Sequence, residues 1–187
     1  MEIDKKVLYP CYFKDGVFMD KEYEKYDNFD DKHLFRYSLK GSFGDRKGKS
    51  IVVILMNPSF ADEYKLDKTL SNVETFLKDY KEYSEFEVLN IFPIRTPNSK
   101  DIKKKMEKYK KYQTENNEYI KKILENSTDI LVAWGSKYHK DATWVFKLLK
   151  DKNVWTYTSP NKDGSPRHFS PYAYNRIADK KLQKYKY

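Results

Sequence analysis

Asn57-Pro58-Ser59 stands directly after an unbroken apolar run, and its carboxamide can hold a water molecule or a polar group of a ligand. An amide has no useful pKa, so Asn57 can position a nucleophile but not deprotonate it. The nearby carboxylates Asp62 and Asp67 can supply the basicity. The plainer reading is a turn, since Asn and Pro are turn residues. Asn90 closes a second apolar run; its amide offers a donor and an acceptor, which suits the edge of a nucleobase or the capping of the next loop. Arg95-Thr96-Pro97 follows, and a guanidinium there is either a surface group or a fork for phosphate. After a third run, Gly135-Ser136-Lys137 opens a helical pattern whose start, with Lys137, favours an anion. The alternative is that Trp134 is core, Gly135 permits the turn and His139 lies on a helix surface. Arg167-His168 sits in the loop Gly164-Ser165-Pro166, where a histidine either donates to a developing anion or is solvated.

The elements that position these residues are legible as alternating patterns. Continuous apolar, β-branched runs at 50–56, 86–92, 129–134 and 154–158 read as strands buried on both faces. Between them, 70–80 carries a helical stripe of Leu70, Val73, Phe76 and Leu77. Ser99 caps a long charged helix over 100–126, and a third helix runs from Gly135 through Leu149. Residues 172–184 read as a closing helix with a basic tail. Ahead of this lie a hairpin turning at Asp15-Gly16, a polar connector, and an alternating strand at Arg36-Tyr37-Ser38-Leu39. We therefore expect an N-terminal hairpin and connector over 1–32 and a single α/β domain over 33–187: a three-layer sandwich around a mostly parallel sheet. Ligands of such sheets bind at the carboxyl ends of the strands, where all the unusual residues fall.

Composition bounds the function. Of 37 basic residues against 28 acidic ones, giving a formal charge of +9, only Arg36, Arg46, Arg95, Arg167 and Arg176 are arginines. Lysine interleaved with acid, Asn and Tyr reads as a coding bias that fills solvated faces, or as an electrostatic footprint for nucleic acid. The single Cys11 excludes a disulfide framework and a cluster held by four thiolates. His33, His139 and His168 lie too far apart for a zinc motif, so no metal and no cofactor is expected. No apolar run reaches membrane length and the N-terminus has no secretory leader, so we expect a cytoplasmic chain without membrane contact. Nothing in the sequence sets its oligomeric state.

With these residues in hand, the chain resembles a bacterial and phage family, domain-of-unknown-function family sixteen-forty-three. The resemblance rests on Arg36-Tyr37-Ser38-Leu39, Met56-Asn57-Pro58-Ser59-Phe60-Ala61-Asp62, Asp67-Lys68-Thr69, Asn90-Ile91-Phe92 with Arg95-Thr96, Glu115-Asn116, Ala133-Trp134-Gly135 and Gly164 to His168. It departs at Phe169-Ser170-Pro171-Tyr172, where the family pattern has Pro-Leu-Tyr, and in a longer leader. More distantly, the loop order is similar to the uracil-DNA glycosylase superfamily, above all its mismatch-specific branch. Met56-Asn57-Pro58-Ser59, Phe92 to Thr96 and Gly135-Ser136-Lys137 stand in the matching order, as does His168-Phe169-Ser170 for a late loop. One cysteine excludes the iron–sulfur branches.

That second resemblance implies roles. Asn57, with Asp62, would serve an attacking water. Asn90 would read a base edge, and His168 would stabilise the departing base. Phe60 or Tyr64 would stack on an extruded base. Ser59, Arg95, Gly135, Lys137 and Arg167 would complete the ligand contacts. The expectation is a nucleobase- or nucleotide-recognising protein on a glycosylase-like scaffold, with hydrolysis of an N-glycosidic bond left open. A non-catalytic nucleotide-sequestering protein, for example a phage sponge for cyclic-nucleotide immune signals, and a basic nucleic-acid-binding module are its alternatives.

Overall fold

Residues Ile51 to Leu55 alternate between two apolar layers, Ile51, Val53 and Leu55 on one side of the sheet and Val52 and Ile54 on the other, and all five are buried. A strand apolar on both faces must lie inside a sheet covered twice, and the computed structural model, which describes residues 8–14 and 34–187, places it there. Seven strands form one sheet: β1 (Cys11–Lys14), β2 (Phe35–Ser42), β3 (Lys49–Leu55), β4 (Tyr83–Asn90), β5 (Asp129–Val132), β6 (Asn153–Thr156) and β7 (Gln183–Lys184), in the order β1-β2-β4-β3-β5-β6-β7. The central four, β4-β3-β5-β6, are parallel, whereas β1, β2 and β7 are joined antiparallel at the flanks.

Helix α1 (Lys68–Leu77) covers one face. Leu70, Val73, Phe76 and Leu77 form its buried stripe, and Asp67 caps it by accepting from the Leu70 amide. Each such side chain taken from water is worth about 1.5–3 kcal/mol. Helices α2 (Ile102–Lys108) and α3 (Lys110–Glu125) cover the other face, with Ile102, Met106, Ile120 and Leu124 in the core. The connection through α1 carries the chain from β3 to β4 on one side, and the next carries it across to β5 on the other. The carboxyl ends of β3 and β5 therefore part at a topological switch point, where a crevice opens.

Three helical expectations are corrected. The helix over 100–126 is two helices behind a short 3-10 turn (Ser99–Asp101) capped by Asn98 rather than Ser99. The break at Tyr109 lets its buried ring meet Phe35 edge-on at 5.1 Å while Tyr112 stacks on the same ring at 4.1 Å. The helix from Gly135 shrinks to α4 (His139–Ala142) followed by a 3-10 stretch, Thr143–Leu148. Gly135 itself sits at φ +79°, outside helical backbone. The closing helix over 172–184 is one turn, α5 (Pro171–Tyr174), and then β7, which pairs with β6. Residues 175–181 offer no apolar stripe, whereas β7 covers an open strand edge and seats Tyr185, buried, with its hydroxyl donating to the Gly164 carbonyl at 2.7 Å. The Asp15-Gly16 turn and the connector lie outside the described residues. Cys11 to Lys14 form the first edge strand, and burial pushes the Cys11 thiol up to about 12. Among the described residues, no helix is long and apolar enough to cross a membrane.

Candidate functional site

At the switch point the chain leaves β3 through Met56 and Asn57 and leaves β5 through Trp134 and Gly135; between these exits lies a cleft of about 460 Å³. Its polar lining includes Arg36, Asn57, Ser59, Asp67, Lys137, Arg167 and His168. Asn57 knits two loops: its Nδ2 donates to the Pro58 carbonyl at 2.8 Å and the Thr96 carbonyl at 2.9 Å. Two carbonyl acceptors fix the amide's orientation, so Oδ1 is the end left to accept from a ligand or water.

Two arginines shape the loop after Asn57. Arg95 donates from Nε to the Ser59 carbonyl at 3.2 Å and from Nη2 to those of Phe60 and Ala61 at 3.4 and 3.3 Å. Arg36 donates from Nη1 to Ala61 at 2.7 Å. Both side chains are 1% exposed, yet they differ. Arg95 is consumed by the loop. Arg36 lines the cleft, and among the described residues its buried Nε has no partner and no carboxylate forms an ion pair with it. Burial pulls the Arg36 pKa down, with Asp67 and Asp62 acting the other way. An anion in the cleft would offset that desolvation.

His168 is held in one tautomer. Its Nδ1 accepts the Ser170 amide hydrogen at 3.0 Å, which leaves the proton on Nε2. Burial lowers its pKa to about 4, against a smaller opposing effect of Asp67, so at neutral pH it is an uncharged N–H donor. Its backbone is pinned by the Tyr157 hydroxyl, which donates to the His168 carbonyl at 3.0 Å, and a Cβ on Gly135 would lie 3.2 Å from the His168 Cβ. Only glycine combines that approach with the positive φ. Arg167 donates from Nε to the Ser159 carbonyl at 3.1 Å, and Lys137 from Nζ to the Ser99 carbonyl at 2.7 Å, closing the wall between two loops. Lys137 lies ahead of a single-turn helix, so no helix dipole stands behind it.

Thus Asn57, Ser59, Gly135, Lys137, Arg167 and His168 come together. Phe60, Asp62 and Tyr64 line an adjoining recess. There Asp62 is a turn former, its Oδ1 accepting from the Tyr64 and Lys65 amides at 2.9 Å, and the carboxylate that reaches the cleft is Asp67. Asn90 and Arg95 do not line the cleft. Asn90 is fully buried at the end of β4, where Asn116 donates to its backbone carbonyl at 2.9 Å. Both belong to the inner side of the loops, because a strand end covered by helix α3 leaves no path to solvent. Sequence reasoning missed Arg36 as a site residue. The available signal was an arginine flanked by the aromatic residues Phe35 and Tyr37. Among the described residues, no group of three or more His, Cys, Asp or Glu is placed to hold a metal ion.

No curated protein and no solved structure matches the chain. A family model does match, over residues 36–169, a span that begins at the cleft's buried arginine and ends one residue past His168. The chain therefore belongs to the family described as Protein of unknown function (DUF1643).

Proposed function

We propose that the cleft binds a nucleotide, with its phosphate at Arg36 and its base between the Asn57 and His168 loops. The observation that carries this reading is Arg36: a buried guanidinium at a cleft, without a carboxylate partner among the described residues. A buried charge of that kind is costly unless an anion meets it. Lys137 and Arg167 add positive charge against the one carboxylate in the lining, Asp67. The volume suits a small organic ligand, and the carbonyl end of Asn57 with the N–H of His168 offers an acceptor and a donor for a base edge. The resemblance of the loop order to uracil-DNA glycosylases points the same way.

A second reading adds chemistry on the same scaffold, and Asp67 favours it. Water held by the Asn57 carbonyl and the Asp67 carboxylate would attack C1′ of the sugar, and Asp67 would take its proton. The C1′–N bond would break with its electron pair passing to the base, the His168 Nε2–H would stabilise the leaving anion, and the proton taken by Asp67 would return to the base by way of solvent. Incubation with a panel of nucleotides, read by mass for retained ligand and released base, tests both. Intact ligand recovered with the protein means sequestration; free base and a ribosyl product mean hydrolysis. If no nucleotide is retained or cleaved, the proposal fails.

A further inference from the structure

Three cations and one carboxylate line the cleft, and they are not evenly placed. Arg36 reaches the Ala61 carbonyl in the layer under α1, and Asp67, which caps α1, acts on it electrostatically. Lys137 and Arg167 stand elsewhere. Lys137 donates from Nζ to the Ser99 carbonyl at 2.7 Å, in the turn that leads into α2 on the other face of the sheet. Arg167 follows Pro166, whose carbonyl accepts from the Gly135 amide at 3.0 Å. That bond ties the loop carrying Arg167 to the loop carrying Lys137. The two cations therefore share one wall, across the cleft from Arg36, and no carboxylate among the lining residues stands on it.

Each of the two is anchored and still has donors to spare. Arg167 spends Nε on the Ser159 carbonyl at 3.1 Å, and its two terminal nitrogens make no hydrogen bond among the described residues. The Lys137 ammonium has three N–H groups; it meets the Ser99 carbonyl and hydroxyl, at 2.7 and 3.5 Å, and lies 5.2 Å over the Tyr138 ring. Neither forms an ion pair among the described residues, whereas Lys103 nearby is spent on Asp141 at 2.7 Å. An anchored cation loses little freedom when it grips an anion, and two on one wall suit the several oxygens of a phosphate. Resting on the nucleotide reading of the cleft, we infer that the ligand carries two phosphate groups at separate points of the nucleotide, one met by Arg36 and the second by Lys137 and Arg167. A phosphate chain, as in a nucleoside 5′-diphosphate, places both groups at one wall. A nucleoside 3′,5′-bisphosphate offers one to each.

The test is a calorimetric titration of the whole protein with the 5′-monophosphate, the 5′-diphosphate and the 3′,5′-bisphosphate of each common nucleoside. The bisphosphate of the preferred nucleoside should bind about 10-fold or more tighter than its monophosphate, the scale of one charge-assisted hydrogen bond, and tighter than the diphosphate. In the K137M/R167M variant, shown to be folded by thermal melting, the ratio of bisphosphate to monophosphate affinity should fall toward one. The comparison among ligands on the unaltered protein stands even where that variant does not fold. A trinucleotide centred on the same nucleoside presents the two phosphates as diesters: binding as tight as the bisphosphate assigns them to a strand, and weaker binding assigns them to a free nucleotide. Equal affinity for monophosphate and bisphosphate, an equal gain from the diphosphate, or a ratio unchanged in folded K137M/R167M overturns the inference while leaving the cleft a nucleotide site. Failure of every probe to bind overturns the nucleotide reading as well.

Discussion

Two neighbouring strand ends make an instructive pair. At the mouth between β3 and β5, Asn57, His168 and Arg36 surround open space. At the end of β4, Asn90 and Arg95 carry similar chemistry but lie under α3 and the loop over 58–61, with Asn116 and Gln113 of α3 donating to the Asn90 and Ile91 carbonyls at 2.9 and 2.8 Å. The residue types are nearly interchangeable; the connections are not. Where the chain crosses over between β3 and β5, the strand ends open on the cleft and the polar groups line it. One strand further along, Arg95 spends its donors on backbone carbonyls, and the Asn90 carboxamide is buried without a hydrogen-bond partner. A buried arginine is thus a site residue or a clamp according to whether its donors are spent on the protein.

The largest effect should separate the two arginines. Arg95→Met leaves the Ser59 and Phe60 carbonyls without their guanidinium donor and should cost about 3 kcal/mol or more of stability in a urea titration. Arg36→Met removes an uncompensated buried charge along with one hydrogen bond to Ala61. It should cost distinctly less while weakening nucleotide binding by about 1–3 kcal/mol. Equal stability losses would erase the distinction. Next comes Gly135→Ala, where positive φ and the 3.2 Å approach to His168 act together. A loss of about 1–3 kcal/mol is expected, with weaker ligand binding because the late loop must shift.

A smaller effect should appear with pH. His168 has a folded pKa near 4, below its ordinary 6.5, so between those values the unfolded chain binds more protons and stability rises with pH. Above pH 6.5 the contribution is fully present, and it drains away as pH falls toward 4. His168→Gln should flatten that portion of a stability–pH curve; an unchanged slope would mean that the imidazole does not titrate there. The smallest effect belongs to K104Q/K108Q, on the exposed side of α2. These changes should leave mononucleotide affinity within about two-fold, with only a shallow dependence on salt. A steep salt slope that falls in this variant would instead indicate a long nucleic-acid footprint.

How much was legible follows the same physics. The four parallel strands and the α1 stripe were plain, because burial on one or two faces leaves a period in the sequence. The crevice was legible too, as the place where unusual residues follow strands. Arg36 was not placed at the site, because it lies in a strand rather than in one of the loops that follow the parallel strands, and sequence alternation does not say which strand residue reaches the cleft. Asp62 and Asp67 could not be told apart without knowing that α1 starts at Lys68 with Asp67 as its cap. The C-terminal strand was read as helix, since a two-residue edge strand has no period of its own.

The central claim is that Arg36 makes the cleft an anion site for a nucleotide. Its most direct measurement is calorimetric titration of a nucleoside 5′-monophosphate panel into the wild type and Arg36→Met, side by side, with both shown to be folded by thermal melting. The account predicts saturable binding of at least one monophosphate to the wild type and a loss of about ten-fold or more in the variant, the scale of a charge-assisted hydrogen bond. Equal affinity in a folded Arg36→Met protein would contradict it.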